Sequence, residues 1–379
     1  MNNEAAYWIA LAHLPRWGYL KINNLIIKFH HEFKLSIIDF FQLSESEWKS
    51  QYGLEDKDIT GLIQAKSELA NNAFLAESLH NEGYELIPII SPDYPKTLKD
   101  NLKAAYSPAL LYIKGDKQIL QKKSVAIVGS RNAAEVSLVF TDNIAKLATK
   151  EHKVVVSGFA KGVDKQALDS AIKYKGKSII VLPQGIMTFG SGYKTFYRQM
   201  VDGDVLVLST FFPKAPWKAE LAMARNPIIF GLANEIYVAE SSDKGGTWSG
   251  VADGLRKNRK IYVRNPEPLE ETANSLLIQK GAIPVDFNGI PLEGFQPVKI
   301  QNAKQAANEY ASNTFLKIIE LLKNREYSAK DILKKLQLDW TEKKLRDFLK
   351  SQIEIETINK KPLGFKLKNQ IVVQKSLFD

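Results

Sequence analysis

Val125-Ala126-Ile127-Val128-Gly129-Ser130-Arg131 decides how the middle of this chain folds. An apolar, β-branched run ends on a glycine and passes into helix-compatible sequence. That is the pattern of a buried strand, a tight turn and a helix. The order returns at Val156-Ser157-Gly158-Phe159-Ala160-Lys161-Gly162-Val163-Asp164. In both turns, N–H groups left bare at a helix start suit a phosphate, and glycine lets it come close. Arg131 adds a bidentate phosphate donor and Lys161 a further charge. Asp164 suits a helix cap. Two such loops on one parallel sheet meet at the edge made by the strands' carboxyl ends, where ligands bind. Lys244-Gly245-Gly246-Thr247 is a third loop of this kind, after the strand-like Glu235–Val238. Arg225-Asn226, ahead of the apolar run Pro227–Leu232, is a fourth candidate.

Strand-like runs continue outward from the quoted stretch: Lys153–Val156, Ser178–Leu182, Val205–Leu208, Glu235–Val238 and Lys260–Val263. Helical sequence lies between most of them, which predicts right-handed crossovers and a doubly wound, mostly parallel sheet. The expected fold class is therefore α/β, with an extended Rossmann-like sheet over residues 106–285. Residues 1–105 read as a helical domain of the helix-hairpin-helix or SAM type, with apolar residues at helical spacing and Ser44–Glu47 as a capping box. Residues 286–312 read as a linker and 313–379 as a winged helix, in the order helix, helix, helix, strand, wing, strand.

Composition narrows the chemistry. The 379 residues contain no cysteine, which excludes disulfides, thiolate metal sites and a cysteine nucleophile. No apolar run is long enough to span a membrane, and the first residues do not form a signal peptide; a cytoplasmic protein without membrane contact is expected. Net charge is +10, and residues 315–375 carry 15 Lys and Arg against 8 Asp and Glu. The basic tail, with Lys343, Lys344, Arg346 and Lys350 on its third helix and Lys360 and Lys361 in its wing, suits a polyanion. Neither G-x-G-x-x-G nor G-x-x-x-x-G-K-[ST] is present, and no Ser/His/Asp set or metal-binding cluster suggests itself. No cofactor, metal or catalytic residue is expected.

These motifs resemble those of the DNA-processing protein A family (DprA, also called Smf), as a divergent member. The resemblance rests on Gly129-Ser130-Arg131, on Ser157–Asp164, on Arg225-Asn226 with Ile228, Ile229, Gly231 and Leu232, and on the lead-ins Asp93–Leu98 and Ser107–Gly115. It implies a non-enzymatic protein that binds and protects incoming single-stranded DNA. Such a protein forms a homodimer and loads the RecA recombinase in natural transformation. It also implies a DNA-phosphate pocket lined by Gly129, Ser130, Arg131, Ser157, Gly158, Ala160, Lys161 and Gly162 and completed by Arg225 and Asn226. The third loop adds Lys244, Gly245 and Gly246. The chain departs from the family at Ala222–Pro227, where Phe-Pro-Arg-Arg-Asn-Arg is common, and at Pro183-Gln184-Gly185, where Gly-Cys-Gly is usual.

Two other readings use the same residues. A phosphoribohydrolase-like enzyme or sensor of a small nucleotide would place a ribose phosphate on the Gly129 and Gly158 loops, with Glu240 as its acid. A transcription regulator would use the winged helix for DNA and the sheet as effector domain.

Overall fold

In the computed structural model, the residues described are 4–267, 270–292, 314–323, 325–336, 338, 340–352, 354–359 and 362–367, the Lys344 side chain apart. The chain divides into two compact units, Met1–Pro297 and Val298–Asp379.

The first unit holds a nine-stranded sheet. Its strands are β1 Glu85–Pro88, β2 Leu110–Lys114, β3 Ser124–Gly129, β4 Val154–Ser157, β5 Ser178–Val181, β6 Val205–Ser209, β7 Glu235–Glu240, β8 Ile261–Arg264 and β9 Ile283–Val285. Across the sheet they run β1-β2-β6-β5-β4-β3-β7-β8-β9. The strands from β3 to β9 are parallel, and β2 and β1 add an antiparallel edge on β6. The doubly wound, mostly parallel expectation is met. The six strands read from the sequence all form, whereas β1, β2 and β9 had not been read as strands.

Alternation along β3 shows why its run is wholly apolar. Val125 and Ile127 pack with Phe140 and Ile144 of helix Glu135–Lys150 and with Ala167 and Ala171 of helix Val163–Lys173. Ala126 and Val128 face the other layer, with Ile228, Ile229 and Leu232 of helix Ala219–Leu232. A strand buried on both faces keeps no polar side. The chain progresses from β3 outward to β6, then returns to pair β7 on the opposite flank of β3. The gap between β3 and β7 is therefore the topological switch point, where such sheets bind ligands.

The N-terminal helices are not separate from this sheet. Trp8, Ile9, Phe29, Phe40 and Trp48 share one core with Leu110 and Tyr112 of β2 and Val205 and Val207 of β6. The capping box forms as read: Glu47 N–H donates to Ser44 Oγ, and Ser44 N–H to Glu47 Oε2 at 2.7 Å.

In the second unit, a helix over 314–322 precedes helices Ala329–Leu336 and Glu342–Ser351 and strands Ile355–Ile358 and Gly364–Leu367. A short strand, Tyr327–Ser328, also pairs with Gly364–Leu367. Ile318, Ile332, Leu345, Leu349 and Phe365 form its core. The wing lysines Lys360 and Lys361, and residues 293–312 of the expected linker, lie outside the described residues.

Candidate functional site

At the switch point the loops after β3 and β7 border a cavity of about 440 Å³. Gly129, Ser130 and Arg131 line it from one side, Arg225 and Asn226 from helix Ala219–Leu232, and Lys244, Gly245 and Gly246 from a third. A neighbouring cavity of about 580 Å³ is lined by Gly158, Ala160, Lys161 and Trp217, and again by Arg131 and Arg225. Of the candidate residues, Ser157 and Gly162 line neither cavity.

These two hold the loops in place. Ser157 Oγ donates to the Asp164 carbonyl at 2.8 Å, tying the end of β4 to the following helix. Gly162 has φ +86, and a Cβ there would stand 2.3 Å from the Ser130 carbonyl oxygen. Only glycine combines that backbone with that approach. Val163 N–H donates to the same carbonyl at 3.2 Å, so the two loops are pinned together. Gly129 is equally confined, with Val163 Cγ2 2.6 Å from where its Cβ would be.

The helix after β3 starts at Glu135, so Arg131 lies in the loop and not at a helix start as the sequence suggests. A distant carboxylate serves as a cap at that start. Glu240 Oε2, at the end of β7, accepts from Ala134 N–H at 2.9 Å and from Ser137 Oγ at 2.8 Å. A carboxylate at that end also suits the helix dipole. Glu240, named as an enzyme's acid, has its carboxylate held by these two donors. The Ser130 amide is also occupied, donating to the Glu240 carbonyl at 3.0 Å.

In the loop after β4, an internal anion faces the amides. The carboxyl of Asp164 is directed at the backbone of Ala160 and Gly158 and lies 3.5 Å from Arg225 Nη1. Burial raises the Asp164 pKa while Arg225 opposes the rise; burial likewise lowers that of Arg225. The Arg225 side chain is 4% exposed, and its Nε and Nη1 have no hydrogen-bond partner. A Cβ on Gly158 would fall 1.1 Å from Nη1. Gly158 thus makes room for a guanidinium that borders both cavities.

Uncapped amides occur instead at helix Gly245–Arg256. No side chain caps its N-terminus, and Gly245, Gly246 and Thr247 line the cavity of about 440 Å³. Asn226 Nδ2 would lie 2.5 Å from a Cβ on Gly246, and Thr247 Oγ1 donates to the Gly129 carbonyl at 3.2 Å. Pro227 lies within helix Ala219–Leu232 and removes the N–H that would bond the Met223 carbonyl beside the cavity. Trp217, 55% exposed beside Lys161 and Arg131, was missed in the sequence; its only signal was an aromatic between Pro216 and Lys218.

A family model described as DNA recombination-mediator protein A matches residues 85–289. The chain belongs to that family. The recombination-mediator match spans the sheet from β1 to β9 and every loop of the site. Protein Smf of Synechocystis is 26% identical over 295 residues, covering 74% of this chain and 70% of that protein. DNA processing protein DprA of Bacillus subtilis is 31% identical over 209 residues, covering 53% and 68%. The solved DprA of Streptococcus pneumoniae shares the fold, with a TM-score of 0.60 at 23% identity over 75% of this chain and 95% of that one. Among the described residues, no cluster of His, Cys, Asp or Glu is suited to a metal, and no helix is long and apolar enough to cross a membrane.

Proposed function

We propose that this chain binds single-stranded DNA across the β3–β7 edge, with consecutive phosphates held by Arg131, Arg225, Asn226, Lys161 and the amides of Lys244, Gly245 and Gly246. The observation that carries the reading is Arg225, a buried guanidinium that borders both cavities and whose Nε and Nη1 make no hydrogen bond, although Nη1 lies 3.5 Å from the Asp164 carboxylate. An unpaired buried donor is costly, and a phosphate oxygen is a strong partner for it. Cations and amides from separate segments track a backbone without reading bases. Family membership supports the wider role: a homodimeric cytoplasmic mediator that protects incoming strands and loads a RecA-type recombinase in natural transformation, without catalysing a reaction. The basic second unit, as a winged helix, adds a further DNA contact.

The test titrates labelled single strands of several lengths, a duplex and a mononucleotide at two salt concentrations, followed by fluorescence anisotropy. Affinity should rise with strand length and fall steeply with salt, by about 0.7 in log–log slope for each phosphate held. Tight mononucleotide binding without oligonucleotide binding would overturn this reading in favour of a nucleotide enzyme or sensor.

A further inference from the structure

A second set of irregular features meets at a cavity of about 340 Å³ among the N-terminal helices. Ile26, Ile27, Ile89 and Ile90 give it an apolar wall, and the cations Lys99 and Lys103 line it. The acid beside them, Asp100, is bonded to Lys96. Lys99 donates to the Ile89 carbonyl, and partial burial lowers its pKa, a cost that a bound anion would relieve.

The walls contain buried polar atoms without partners. Asn23 is 3% exposed and Ser107 0% exposed, and Asn23 Oδ1 and Ser107 Oγ have no hydrogen bond. The backbone is irregular here as well. Helix Tyr19–Ile26 continues as a π-helix over Ile27–Glu32, which brings Ile27 and His31 to the cavity. Lys103, inside helix Lys96–Tyr106, has φ 55 and ψ −172, a region nearly restricted to glycine. π-turns and strained non-glycine residues concentrate at ligand sites.

We propose that this cavity binds a small amphiphilic anion, its charged group at Lys99 and Lys103 and its aliphatic or aromatic body against the four isoleucines. The full chain is titrated by calorimetry with octanoate, octyl phosphate, octanol and acetate. The two octyl anions distinguish a carboxylate from a phosphate head group, octanol removes the charge, and acetate removes the body. At least one octyl anion should bind roughly tenfold or more tightly than octanol and acetate, and the double change Lys99→Glu with Lys103→Glu should abolish the difference. Lys103→Gly should raise the thermal midpoint of the free protein by about 2 °C while weakening the anion, because it removes strain and charge together. Octanol binding as tightly as both anions, or unchanged anion affinity in the double variant, overturns the proposal. Oligonucleotide affinity is measured on the same samples, so failure here is distinguishable from failure of DNA binding.

Discussion

The loop after β3 and the loop after β4 leave neighbouring strands at one sheet edge, yet their charges are disposed in opposite ways. Arg131 in the first is exposed and borders both cavities. In the second, Asp164 answers the amides from inside and is itself paired with Arg225, which rests on Gly158. Similar glycine patterns therefore hold an exposed arginine in one loop and, in the other, a buried acid–guanidinium pair whose arginine also borders the cavities. The difference comes from residues outside the loops: Glu240 caps the helix after the first, and Arg225 fills the second.

The largest expected effect tests the support. Arg225→Ala leaves Asp164 buried without its partner and should cost about 3–5 kcal/mol of stability in urea unfolding. Adding Asp164→Asn should recover a large part of that loss; no recovery would mean that the pair is not what holds the loop. Next comes the exposed arm. Arg131→Ala should leave unfolding unchanged but weaken single-strand binding by roughly tenfold or more, since charge-assisted phosphate contacts are worth about 1.5–3 kcal/mol. If Arg131→Ala unfolds the protein as readily as Arg225→Ala, the contrast between the loops fails. Trp217→Ala should cost about 1 kcal/mol of affinity for a base-bearing strand and little for an abasic strand of equal length, measured by anisotropy. Smallest of all, Lys343→Ala on the exposed face of helix Glu342–Ser351 should change affinity by less than about twofold. An effect equal to that of Arg131→Ala would move the main DNA contact into the second unit.

What was legible in the sequence follows the range of the forces involved. Strands β3 to β8 announced themselves because burial on both faces leaves continuous apolar runs. β1 escaped because Glu85-Leu86-Ile87-Pro88 is short and ends on proline, and it is a strand only by pairing with β2. The glycines of the site were visible, but their neighbours were not. Nothing local in Gly158 foretells Arg225, and nothing in Ala134 foretells a cap from Glu240. The uncapped helix at Gly245 was readable as a glycine loop, yet its advantage over the other two appears only once their amides are found occupied.

Strand β2 has a consequence for the order in which the protein can be made. Tyr112 and Ile113 pair with Ser209 and Leu208, and the N-terminal aromatic core closes against Val205 and Val207 of the same late strand. On the ribosome, the first hundred residues therefore emerge with helices but without the surface that completes their core. Until β6 has been synthesised, β2 keeps one strand edge unpaired, a state prone to wrong association. Chains that stall or are cut between β2 and β6 should consequently aggregate or be degraded, and should not survive as a folded helical fragment.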